Sequence, residues 1–219
     1  MPKHIAFLGD SITMGYGLPD SRKRFSTKIC KALGAYEENY GITGTLVANA
    51  GTSRANGLSF VERLPIIRSA DLAIVFGGTN DYFWSDRPIF NTEGGGLNNE
   101  YFSDAVETVC SFCANERESG TTLIVTPYPH RGIGNFLGGE AWNTRSEHDT
   151  DTVNFNGHTL CDYVKVISDT ARSYGLPVLD LHKVSGFDYR YHTLDGCHPN
   201  DDGHALLAEY IGRDLRKLI

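Results

Sequence analysis

The sequence predicts an α/β protein in which helices cover a parallel sheet, and three observations carry that reading. Compact runs rich in Val, Ile and Leu recur along the chain, as suits strands buried on both faces. Between them lie segments whose apolar residues return at helical spacing, mostly in the order strand then helix. The third is size: 219 residues, 40% hydrophobic and 21% charged, fit one domain over residues 1–219 with an ample core.

Taken in order, the strand runs are Ile5 to Leu8, Thr45 to Asn49, Leu72 to Phe76, Leu123 to Thr126 and Val178 to Leu181, so the expected sheet has about five strands. Helical spacing joins Phe25, Ile29 and Leu33, then Phe102, Val106, Val109 and Phe112 or Cys113. It returns in Leu160, Val164, Ile167 and Ala171, and in Leu207, Tyr210, Ile211 and Leu215. Gly34, Gly120 and Gly175 mark ends, and Asn200 or Asp201 caps the last helix. Two long connections, residues 82–99 and 127–151, follow strands and are expected to wall a pocket at the carboxyl edge of the sheet.

Charge and cysteine usage exclude several classes. The formal net charge is −7 and no basic run occurs, which disfavours nucleic acid and anionic membranes, since both are met by clustered Lys and Arg. No apolar run approaches the roughly 20 residues of a membrane span. Strand-like sequence begins by His4, leaving no room for a secretory signal, so a cytoplasmic location is expected. The five cysteines, Cys30, Cys110, Cys113, Cys161 and Cys197, are odd in number and scattered, which argues for free thiols in a reducing compartment. His130, His148 and His158 match no zinc spacing, so no metal is expected, and His204 reads as a capping or solvent-facing residue of the last helix.

Gly9-Asp10-Ser11 stands where the first strand ends, a place that exposes a hydroxyl at the sheet edge. Alone, the triplet is an ordinary turn. Near the other end, Asp195-Gly196-Cys197-His198-Pro199 supplies the base and the carboxylate that an unactivated serine needs. With Asp195 three residues ahead of His198, the carboxylate can meet Nδ1 while Nε2 faces Ser11, and Pro199 keeps His198 out of the following helix. Two further stretches offer oxyanion donors, a backbone N–H at Gly51 in Asn49-Ala50-Gly51-Thr52-Ser53 and the Asn80 amide in Gly77-Gly78-Thr79-Asn80-Asp81. Each of these read alone is a strand-to-helix turn. A nucleotide binder wrapping phosphate with residues 9–15 would leave Asp195 and His198 unexplained.

These four blocks, in this order and separation, resemble the SGNH hydrolases, or GDSL esterase/lipase family, from Gly9 to Pro199. The resemblance implies a three-layer α/β/α fold and a serine hydrolase acting on ester bonds, with no metal or organic cofactor. It implies Ser11 as nucleophile, His198 as base, Asp195 as its partner, and the N–H groups of Ser11 and Gly51 with the Asn80 amide as oxyanion donors. One departure is Arg54, where the family often has Gly; it reads as an ordinary surface residue, with a positive charge near the pocket as the alternative.

The expected substrate is a small-molecule or carbohydrate ester with a short acyl group, because no long apolar lid is visible and the wall loops mix aromatic with polar residues. Tyr82, Phe83, Trp84, Arg131, Phe136 and Trp142 are the candidate contacts. A lysophospholipase or acyl thioesterase is the alternative within the family, and a carbohydrate-binding protein without catalysis the alternative outside it.

Overall fold

The computed structural model describes residues 3–50, 57–118, 120–130, 152–154 and 156–218. Five strands form one parallel sheet: β1 (His4–Gly9), β2 (Tyr36–Gly41), β3 (Leu72–Phe76), β4 (Thr121–Val125) and β5 (Val178–Leu179), in the order β2-β1-β3-β4-β5. The helices are α1 (Ser11–Met14), α2 (Phe25–Leu33), α3 (Phe60–Arg63), α4 (Thr79–Trp84), α5 (Phe102–Asn115), α6 (Leu160–Ser173), α7 (Tyr189–His192) and α8 (Asp201–Leu215). The chain leaves β1 for β2 on one side and returns past it to β3 on the other. That reversal opens a crevice beyond the carboxyl ends of β1 and β3, where open α/β sheets bind ligands.

Strand side chains alternate between two apolar layers, which makes the fold a three-layer α/β/α sandwich. Ile5, Phe7, Ile74, Phe76, Leu123 and Val125 face the layer of α2 and α8, where they meet Phe25, Ile29, Leu207 and Ile211. Ala6, Leu8, Ala73, Val75 and Ile124 face the layer of α3, α5 and α6, where they meet Phe60, Phe102, Val106, Tyr163 and Ile167. Phe25 shows how tightly the first layer closes: its ring meets those of Phe7 and Phe76 edge-on at 5.9 and 6.1 Å. Burial of such a side chain contributes about 1.5–3 kcal/mol.

The strand expected at Thr45 to Asn49 does not form, and β2 lies earlier, at Tyr36–Gly41. β2 is polar because it is an edge strand, half-exposed, whose side chains serve neighbours. Glu37 accepts from Ser26 and Thr27, and Asn39 donates to the Thr13 carbonyl. The run at 45–48 is buried without joining the sheet, and the Asp81 carboxylate takes the Val47 and Ala48 N–H groups that a ladder would otherwise satisfy. Periodicity reads burial, and burial here is not a strand.

Helix ends follow the residues that mark them. Gly34 closes α2 in the left-handed region, and the Asn200 side chain caps α8 by accepting from the Gly203 N–H. Ser59 with Glu62 and Thr159 with Asp162 form capping boxes on α3 and α6. Among the described residues, no helix is long and apolar enough to cross a membrane.

Candidate active site

The Ser11 turn is held at both ends of α1. The Asp10 side chain accepts from the Ile12 N–H at 2.8 Å, and the N–H groups of Gly15 and Tyr16 return to the Ser11 carbonyl at 3.0 and 2.9 Å. Such a sharp reversal needs a glycine at its base. A Cβ on Gly9 would lie 2.0 Å from Thr13 Oγ1. The result is a serine that is 5% exposed and opens onto the crevice.

The opposing turn runs from Thr193 to Pro199, which pair as an antiparallel bridge, while the Leu194 N–H donates to the His198 carbonyl at 2.8 Å. Tyr128, buried beyond β4, donates its hydroxyl to the Cys197 carbonyl from beneath. Within the turn, Asp195 Oδ1 accepts from the N–H groups of Cys197 and His198 at 3.0 and 2.8 Å. Its Oδ2 lies 2.7 Å from His198 Nδ1, and His198 Nε2 lies 3.0 Å from Ser11 Oγ. Burial works to raise the Asp195 carboxyl, but the hydrogen bond and charge of His198 and the two N–H groups outweigh it and hold the carboxyl below its usual value. An ionised carboxylate there keeps the proton on Nδ1 and leaves the Nε2 lone pair facing the serine hydroxyl.

Behind the serine lies a set of buried polar groups. Asn80 donates from Nδ2 to the Thr45 carbonyl at 3.0 Å and stands 3.4 Å from Asp10 Oδ2. Burial pushes the Asp10 carboxyl up to about 6 against the pull of the Ile12 N–H, His198 and Arg63. Burial likewise pushes Asp81 up to about 7, despite its two accepted N–H bonds. Arg63, 7% exposed, is pushed down to about 10 by burial, with Asp10 opposing. Its guanidinium donates to the carbonyls of Leu58, Tyr40 and Gly9 at 3.1, 2.6 and 3.2 Å and to Thr45 Oγ1 at 3.0 Å. A buried cation so saturated braces the end of β1, ahead of Ser11, against the segment that carries Thr45.

Ser11, Asn80, Asp195 and His198, distant in sequence, therefore line one cleft of about 480 Å³. Phe83 and Trp84 line it as well, but Tyr82 does not. Successive helical residues turn by about 100°, so three in a row cannot share a face. Tyr82, 1% exposed, points into the core, where it meets Tyr163 edge-on at 5.9 Å and donates to the Thr152 carbonyl at 2.8 Å. Gly51, Arg54, Arg131, Phe136 and Trp142 lie outside the described residues.

Tyr16, Thr43 and Gly44 also line the cleft, and sequence reasoning missed them; for Tyr16 the signal was an aromatic residue between two glycines. His204 departs from expectation too, since it is wholly buried and accepts the Phe25 N–H at Nδ1. Cys30, Cys110, Cys113 and Cys197 are buried free thiols, and Cys161 is an exposed one.

Comparisons with known proteins bear on the family and the fold. A curated acetylxylan esterase from Xylanibacter ruminicola is 23% identical over 230 residues, covering 97% of this chain and 43% of that protein. The chain thus spans less than half the length of that relative. Among solved structures, a protein from Lactobacillus plantarum superposes with a TM-score of 0.78 at 24% identity, covering 99% of this chain and 98% of that one. A carbohydrate acetylesterase from Sinorhizobium meliloti superposes with a TM-score of 0.70 at 16% identity, covering 99% of this chain and all (100%) of that one. The GDSL-like Lipase/Acylhydrolase family profile matches residues 7–206, a span that begins ahead of Ser11 and ends beyond His198, and the chain belongs to that family.

Proposed function

We propose that the chain is a serine esterase working through an acyl-enzyme on Ser11, and that it removes short acyl groups, acetyl above all, from a carbohydrate. The hydrogen-bonded line from Asp195 through His198 to Ser11, with links of 2.7 and 3.0 Å, carries this reading. Ser11 Oγ attacks the ester carbonyl as His198 Nε2 takes its proton, and Asp195 stabilises the imidazolium so formed. The developing oxyanion is met by the Ser11 N–H and the Asn80 amide, whose second N–H has only a long, 3.4 Å contact to exchange for it. Gly51 is the third donor of the proposal, by family resemblance. His198 then protonates the departing alcohol, and water activated by the same ring hydrolyses the acyl-enzyme.

The acetylxylan esterase relative supports the choice of acetyl and carbohydrate, as do the aromatic walls of the cleft. With a chromogenic acetate, Ser11→Ala is expected to remove nearly all turnover while leaving the circular dichroism spectrum unchanged, and a serine-directed phosphonate should label Ser11 alone. Retained turnover in that variant would overturn the nucleophile. A series of esters from about C2 to C12 tests the acyl preference: a peak above about C8 would exclude the deacetylase and favour the long-chain alternative.

A further inference from the structure

The reading of Ser11 as nucleophile and His198 as acid has a geometric corollary for the alcohol half of the substrate. The leaving oxygen must come within hydrogen-bond reach of His198 Nε2, so the alcohol lies against whatever covers that ring. What covers it is Tyr16. The two ring centroids are 4.6 Å apart at 45°, and Tyr16 keeps 48% of its surface exposed while lining the cleft. Leu194, 55% exposed, lies against Gly17, the residue that follows Tyr16.

The backbone at both residues is tied to that of the reacting groups by main-chain bonds. The Tyr16 N–H donates to the carbonyl of Ser11 at 2.9 Å, and the Leu194 N–H donates to the carbonyl of His198 at 2.8 Å. Gly17 lets the two turns touch: at a φ of 81° it is in the region glycine favours, and a Cβ there would stand 2.5 Å from Leu194 Cδ1. The facing wall, with Phe83 and Trp84, rises instead from α4, the helix that carries Asn80.

We infer that Tyr16 is the platform that selects the alcohol: a flat ring, a pyranose presenting its C–H face, stacked on the exposed side of Tyr16 with its acylated hydroxyl directed at His198. An exposed aromatic held rigidly beside an acid is suited to such a moiety, because it offers broad apolar contact at small conformational cost. Tyr16 is a specificity-determining residue here and takes no part in proton transfer. The inference rests on the serine esterase reading above and extends it to the alcohol.

The test compares Tyr16→Ala and Tyr16→Phe with the unmodified chain on two acetates, an acetylated methyl xylopyranoside and ethyl acetate, and on the propionate of the same pyranoside. Tyr16→Ala is expected to lower kcat/KM for the pyranoside acetate roughly tenfold, mainly through KM, with a several-fold smaller loss for ethyl acetate. The acetate-to-propionate ratio should stay as in the unmodified chain, and Tyr16→Phe should recover most of the loss.

Equal losses on both acetates, carried by kcat and accompanied by a displaced pH–rate profile, would overturn the inference and make Tyr16 a brace for the imidazole. A changed acetate-to-propionate ratio would overturn it by placing Tyr16 on the acyl side. Turnover surviving in Ser11→Ala would overturn the esterase reading itself, a result distinct from either of these.

Discussion

Two histidines flank the start of α8 and meet opposite fates. His198 sits partly exposed at the cleft with a carboxylate on Nδ1, so its Nε2 is left as an acceptor toward Ser11. His204 is wholly buried against Phe25, with stacked rings 5.9 Å apart, and its Nδ1 accepts a main-chain N–H. The proton must then sit on Nε2, and burial pushes the ring down to about 4. The same imidazole faces a serine hydroxyl in one place and is a packing element in the other. What decides is whether its Nδ1 meets an acceptor or a donor, and whether the other edge opens to a cleft.

The sharpest way to break the contrast is to remove what distinguishes His198. Asp195→Asn is expected to lower kcat on an acetate ester by about 10⁴-fold, because an amide no longer secures the productive tautomer. His204→Asn, whose Oδ1 can replace Nδ1 as acceptor, should leave kcat within roughly twofold, since His204 lines no part of the cleft. Steady-state kinetics on the two folded variants decides; comparable losses would abolish the distinction. Next in size, Asn80→Ala should cost about 10²–10³ in kcat with little change in KM.

A stability measurement sharpens the other half. The folded value of His204 lies below its free value of 6.5, so the unfolded chain takes up the proton first. The stability this ring contributes is complete above about pH 6.5 and is lost as the pH falls through about 4, an effect on the order of 3 kcal/mol. Asp10 and Asp81 act in the opposite sense. Their folded values lie above the free carboxylate value, so the stability they contribute is lost as the pH rises through about 6 and 7. The difference between the unmodified chain and His204→Asn in urea melts across this range isolates the histidine, and parallel curves would refute its assignment. The smallest expected effect is that of Asp81→Asn, which leaves one N–H of the Val47–Ala48 pair without a matched acceptor. A loss of about 1–3 kcal/mol, or roughly 5 °C in Tm, is expected in a thermal melt.

The sheet and its long helices were legible in the sequence because their burial is periodic, as in Phe102, Val106 and Val109 of α5. The convergence of Ser11, His198 and Asp195 was legible for a different reason: serine, histidine and aspartate are few residue types at recognisable spacings. β2 was hidden because an edge strand need not be apolar, and Tyr36–Gly41 carries two glutamates and an asparagine. The run at 45–49 was misread because a single carboxylate from a later helix replaces a whole strand partner, and no local pattern announces that. Tyr82 fell with its neighbours into one aromatic block, although helical rotation divides such a block between core and cleft. Arg63 gave no sign of its role, since a basic residue in a short polar helix is ordinarily on the surface.

The guanidinium of Arg63 has a thermal corollary. Because it ties the carbonyls of Gly9, Tyr40 and Leu58 and the Thr45 hydroxyl into one knot, the cleft edge is expected to melt with the rest of the fold. On heating, residual activity and ellipticity should decline along a single curve, and cooling should restore both together or neither.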